Sequence, residues 1–148
     1  AIAKDRNGTP NPITLSWAMF TSHRPPMLAI SVGISRYSVE AIRHAGEFVL
    51  AFPSADMAEA ARYYGTVSGR NAKKFEEHPV RTEKAMKVDS VLLADAVANF
   101  ECKLISEHKT GDHIIFAGEV LASHINEDES VGRLFTLSTG FVMGPVSY

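Results

Sequence analysis

Cysteine is nearly missing: Cys102 stands alone in 148 residues. That excludes an intrachain disulfide and a thiolate metal cluster, and it suits a reducing compartment, so cytoplasm is the expected location. Charge of one sign is missing too. Fifteen basic residues against 17 acidic ones leave −2, without the electrostatic footprint of a nucleic-acid or membrane-surface binder. No apolar run approaches the ~20 residues of a membrane span, and AIAKDRNGTPNP at the start has no apolar stretch of a signal peptide. The expected partners therefore include neither nucleic acid nor membrane. The G-x-x-x-x-G-K-[ST] and G-x-G-x-x-G phosphate loops are absent, as is the G-x-S-x-G nucleophile elbow. Six histidines are present, but the closest pair, His108 and His113, lacks helix spacing for a metal, so no metal is expected. Internal repeats, linkers and low-complexity tracts are also lacking.

What is present is an ordinary globular composition, 45% hydrophobic and 22% charged, long enough for one domain over residues 1–148 with a full core. Residues 1–5 read as the end of a strand. DRNGTPNP follows, with Asn7-Gly8 its strongest turn signal. ITLSWAMF (13–20) and MLAISVGIS (27–35) alternate as strands, and two prolines in SHRPP break them apart. Residues 38–46 read as a helix with Ser38 as N-cap and Gly46 as stop. EFVLAFP (47–53) is a buried strand, 55–63 and 72–78 are short helices, and 79–95 is irregular apart from a short apolar run at 91–93. The clearest signal is ANFECKLISEHK (98–109) and HIIFAGEVLASHI (113–125), separated by a Gly-Asp turn of hairpin type. The tail from 130 is left unassigned. Five strands, long and outnumbering the helices, predict a small antiparallel barrel with helices covering its ends.

Strands 13–20 and 27–35 each offer one apolar face to the core. Their opposite faces carry Thr14, Ser16 and Ala18, then Ala29, Ser31, Gly33 and Ser35. Two such small, hydroxylic faces side by side make either a flat surface for a flat ligand or a solvent face short of the usual long charged residues. Alternation sends Trp17 to the core, and Cys102, in mid-strand, reads as core and not nucleophile. At the end of the second strand come Ser35, Arg36, Tyr37 and Ser38, opening a helix. A helix N-terminus with an arginine and two hydroxyls suits a phosphate; it equally describes a plain cap beside a solvated arginine. SGRNAKKF (68–75) repeats the theme with Ser68, Gly69, Arg70 and Lys74. In TGDH, turn chemistry explains Gly111 and Asp112 and leaves His113 at a rim, where it is a hydrogen-bond donor, a general acid near neutral pH, or a surface residue.

NPITLSWAMFTSHRPPMLAISVGISRYS, GEFVLAFPS, GTVSGRNAKKF and FECKLISEHKTGDHIIFAGEV follow one another in an order and spacing that resembles the flavin reductase-like and flavoredoxin-type family, from about residue 8 to 126. Members of that family open with a longer first strand, so the first strand here is read as shortened. The resemblance implies an antiparallel Greek-key split β-barrel that binds FMN, with FAD as the alternative. It implies that Thr14, Ser16 and Trp17 lie along the flavin, that Ser35, Arg36, Tyr37 and Ser38 hold its ribityl-phosphate end, and that Ser68, Gly69, Arg70 and Lys74 close the phosphate pocket. Gly111, Asp112 and His113 would border the nicotinamide of NAD(P)H, with His113 shaping that side. The implied activity is an NAD(P)H:flavin oxidoreductase, homodimeric, passing electrons to a monooxygenase or a redox protein. The alternatives are a flavoredoxin-like FMN carrier reduced by a partner protein, and a flavin-free interaction module.

Overall fold

The computed structural model describes residues 1–140 and 142–146; the tail expectation, where it covers Phe141, Ser147 and Tyr148, lies outside the described residues. In chain order the elements are β1 (Ile2–Lys4), β2 (Pro10–Pro12), β3 (Ala18–His23), β4 (Pro26–Gly33), α1 (Tyr37–Ala45), β5 (Glu47–Phe52), a 3₁₀ turn (Ala55–Met57), α2 (Ala58–Thr66), α3 (Lys74–Glu77), β6 (Thr82–Lys84), β7 (Val91–Leu93), β8 (Ala98–Thr110), β9 (His113–Ile125), β10 (Phe135–Ser138) and β11 (Val142–Gly144). Seven strands form one antiparallel sheet in the order β2-β1-β5-β8-β9-β4-β3, and β6-β7 and β10-β11 form two small hairpins beside it. Among the described residues, no helix is long and apolar enough to cross a membrane.

The sheet is curled. Ala3 of β1 and Leu28, Ile30 and Val32 of β4 belong to one buried cluster, although a flat sheet would hold those strands ~19 Å apart, four spacings of about 4.8 Å. Phe20 on the β3 edge likewise meets Phe100 of β8 edge-on, with centroids 5.8 Å apart. Helix α1 fills the hollow. It buries Ser38, Val39, Ala41 and Ile42 at helical spacing against Phe48, Leu50 and Phe116. It stops where expected, at Gly46, whose φ of 66° lets its N–H reach the Ile42 carbonyl at 2.9 Å. On the other side of β1 and β5, Ile2, Val49, Leu92 and Leu93 make a second cluster. There Glu101, fully buried, accepts the backbone N–H groups of Met86, Lys87 and Val88 and lies 2.6 Å from His124 Nε2. Burial pushes its carboxyl up, but the three amides and His124 overcome this and hold it below its ordinary value.

The β8–β9 hairpin, β4, β5 and the helix positions follow the sequence reading. Several points differ. Strand β3 begins only at Ala18, because the chain before it is pinned as a loop: Thr14 Oγ1 donates to the Ala61 carbonyl at 2.5 Å. Alternation therefore does not apply at Trp17, which is 61% exposed instead of core, and Met19 and Ile34 are exposed too. Pro26 is tolerated in β4 as its first residue. The N-cap of α1 is Arg36, not Ser38; Ser38 is buried and accepts a 2.9 Å hydrogen bond from Asn11 Nδ2. Residues 79–95 contain the β6–β7 hairpin that was read as irregular.

Candidate functional site

The two Ser-and-Arg segments, some thirty residues apart in sequence, share one cavity. The start of α1 contributes Ser35, Arg36, Tyr37 and Ser38; the end of α2 and its loop contribute Ser68 and Gly69; Lys74 closes the floor, and the volume is about 120 Å³. Lys74 is buried, and its ammonium donates to the carbonyls of Pro12 (2.7 Å) and Tyr64 (2.9 Å). Two acceptors leave the third proton of the ammonium unassigned. Burial, with the nearby Arg36, lowers its pKa from 10.5 to about 8. Among the described residues, no carboxylate lines the cavity. The first turn of α1 adds N–H groups that have no partner within the helix. Two cations, hydroxyls and a helix start, without an acid among them, suit an anion with several oxygens.

Arg70 stands outside this cavity. Its guanidinium pairs with Glu40, lies 5.3 Å from the Tyr37 ring centroid and reaches the Ser35 carbonyl at 3.3 Å. It thus joins the 68–71 loop to the α1 wall instead of lining the pocket. Gly69 is sterically required. A Cβ there would collide with the Asn11 side-chain oxygen and come within 2.9 Å of Tyr37 Cδ1. Sequence reasoning missed Asn11, which touches both walls through Ser38 and Gly69; a lone asparagine among turn formers carries no signal for it.

Beyond the anion pocket lies a cleft of about 270 Å³ lined by Ser16, Trp17, Ala18, Ala29 and Ser31, among others. Of the small residues expected on this face, Ser16, Ala18, Ala29 and Ser31 line the cleft, together with the larger Trp17, Met19, Ile30 and Ile115, while Thr14, Gly33 and Ser35 do not. Trp17 stacks on His113, with centroids 4.7 Å apart and ring planes at 38°. His113 is delivered by the β8–β9 turn, where Gly111 has φ 59°, and by its pairing with Gly33. Asp112 holds that tip in place: its carbonyl accepts the Ile34 N–H at 3.0 Å and its carboxylate meets His113 Nδ1 at 2.7 Å. The contact with His113 lowers the Asp112 pKa, and the other ring nitrogen, Nε2, lies beside Gly33. Thr14 is turned away by its bond to Ala61. Cys102 is buried, and burial, then Glu101, pushes its thiol up to about 12, far from a nucleophile. Among the described residues, no His, Cys, Asp and Glu group is placed to hold a metal.

The fold is thus a curled antiparallel sheet plugged by one helix, with a cation-lined cavity at the helix start and a second cleft against β3 and β4. The flavin reductase like domain matches residues 2–140, and the chain belongs to that family, with its mainly β split-barrel fold. An uncharacterized protein of Archaeoglobus fulgidus is 35% identical over 112 residues, 76% of this chain. The NADH-dependent FMN reductase AsuE2 of Streptomyces nodosus subsp. asukaensis is 27% identical over 115 residues, 78% of this chain. The chain spans 63% and 61% of those two proteins. The crystal structure of flavoredoxin from Methanosarcina acetivorans superposes with a TM-score of 0.76 at 26% identity, covering 85% of this chain and 67% of that one.

Proposed function

We propose that the protein is an FMN-binding oxidoreductase that takes hydride from NAD(P)H, an NAD(P)H:flavin reductase. One observation carries this: the pocket of Arg36 and buried Lys74 is linked, through Gly33 and His113, to the cleft of Ser16, Trp17, Ala29 and Ser31. A terminal phosphate dianion matches two cations, and a flat ring matches two small-residue faces; likeness to an FMN reductase supports the same reading. FMN is preferred to FAD on the likeness to an FMN reductase.

The flavin would supply the redox chemistry. The chain would hold and orient it: Arg36, Lys74 and the first turn of α1 grip the phosphate, and Ser16 and Trp17 border the ring. His113, steadied by Asp112 and by Trp17, shapes the side on which the nicotinamide arrives, with Gly111 shaping the turn. Trp17, Met19 and Phe20, all more than 60% exposed along the β3 edge, support burial against a second copy in a homodimer.

Likeness to a flavoredoxin favours a second reading, an FMN carrier reduced by another protein. A visible spectrum of the purified protein with FMN, before and after anaerobic NADH or NADPH, separates the two. Bleaching without a partner is the expected result and names the donor. Flavin bands that persist would give the carrier reading, and failure to bind FMN at all would refute both.

A further inference from the structure

We propose that Arg133 heads a second ligand site that takes an aromatic monocarboxylate. A cavity of about 310 Å³ lies behind the 14–18 segment and shares Ser16 and Ala18 with the cleft described above. Arg133 stands at its wall with its guanidinium carbon 4.4 Å from the Phe52 centroid and 5.1 Å from the Phe135 centroid. Two aromatic rings thus lie beside the cation, and its N–H fork makes no side-chain hydrogen bond among the described residues. That fork matches a carboxylate in bidentate fashion.

Three observations set the ligand class. The arginine is held by its backbone: Arg133 bridges to Ser54, the Ala55 N–H reaches the Gly132 carbonyl at 2.8 Å, and the Leu134 N–H reaches the Pro53 carbonyl at 3.0 Å. The cation is thus presented by anchored chain, and no carboxylate among the described residues pairs with it. The remaining walls are largely apolar, with Leu50, Phe52, Phe135 and Met143. One exposed cation at the wall of a cavity that is mainly apolar, with the hydroxyls of Thr14, Ser16 and Thr136 among its lining, matches a monoanion with a hydrophobic body, whereas the Arg36–Lys74 pocket, with two cations and hydroxyls, matches a dianion. The volume lies at the small end of ligand cavities, enough for a one- or two-ring acid. The cavity shares Ser16 and Ala18 with the cleft, but its cation, Arg133, has no part in the flavin reading.

The test is titration of 2-naphthoate, and of neutral 2-naphthamide, into the full chain by calorimetry, with FMN affinity measured on the same samples. Wild type should bind 2-naphthoate and discriminate against the amide. Arg133→Met should weaken 2-naphthoate at least tenfold, and Arg133→Lys, which keeps the charge but loses the fork, by less. FMN affinity should be unchanged in both variants. No 2-naphthoate binding to wild type at millimolar concentration, or equal affinity in wild type and both variants, would overturn the proposal. Loss of FMN binding with 2-naphthoate binding intact would overturn the flavin reading alone.

Discussion

Lys74→Met removes one charge from the anion pocket, and its effects on folding and on binding separate. Holding the ammonium at a pKa of about 8 corresponds to a cost of about 3 kcal/mol relative to solvent, which methionine relieves. Methionine also leaves the Pro12 and Tyr64 carbonyls without their donor, at about 1–3 kcal/mol each. The terms largely offset, and the variant should fold. Binding has no such offset. A charge-assisted hydrogen bond to phosphate contributes about 1.5–3 kcal/mol, so FMN affinity should fall about ten- to a hundredfold, while riboflavin, without the phosphate, should bind the variant and wild type alike. The pH profile gives a second readout. The pocket needs the ammonium form, which the ligand-free protein loses as pH rises through about 8, and the ligand needs its dianion, lost below about pH 6. Wild-type FMN affinity should peak between these limits, and the alkaline limb should vanish in Lys74→Met. The depressed lysine pKa also means that the unfolded chain binds this proton more tightly, so ligand-free stability should rise from about pH 8 toward 10.5. Flavin fluorescence titrations measure the affinities. An FMN affinity within twofold of wild type, or an equal loss for riboflavin, would refute the placement of phosphate at Lys74.

Three further outcomes follow from the geometry. His113→Ala removes the ring stacked on Trp17, worth about 1 kcal/mol; KM for NAD(P)H should rise about fivefold with FMN affinity retained, and equal losses of both would show that His113 has no nicotinamide role. Gly69→Ala drives a methyl into Asn11 and Tyr37; overpacking should cost about 1–3 kcal/mol in denaturant unfolding and weaken FMN more than riboflavin. Glu101→Ala strands the N–H groups of Met86, Lys87 and Val88 and should cost at least about 3 kcal/mol. Because the Glu101 pKa is lowered on folding, its stabilisation is present above its ordinary 4.5 and is lost as pH falls below that; the variant should show a shallower acid limb.

The β8–β9 hairpin was legible because two residues fix its turn and both strands alternate around it, and α1 because Gly46 marks its end. Both Ser-and-Arg segments were legible as donor types before a helix, but their convergence on one cavity is tertiary and has no local signature. Trp17 shows where pattern reasoning fails. Period-two alternation has meaning only inside a strand, and a single long-range bond from Thr14 to Ala61 keeps that stretch out of one. Alternation sent Trp17 to the core, whereas it lines the cleft against β4. The N-cap reading of Ser38 failed for a related reason: it assigned the nearest local role, whereas Asn11 engages Ser38 from elsewhere in the chain.

The order of strands in the sheet has a kinetic consequence. β8 and β9, like β3 and β4, are neighbours in sequence and can pair early as local hairpins. The pairings of β5 with β8 and of β4 with β9 close long loops and are slow to form. Gly33 meets His113 only in the second of these. The cleft is therefore among the last parts of the chain to exist, and in a refolding experiment, uptake of its ligand should mark the end of the slowest phase.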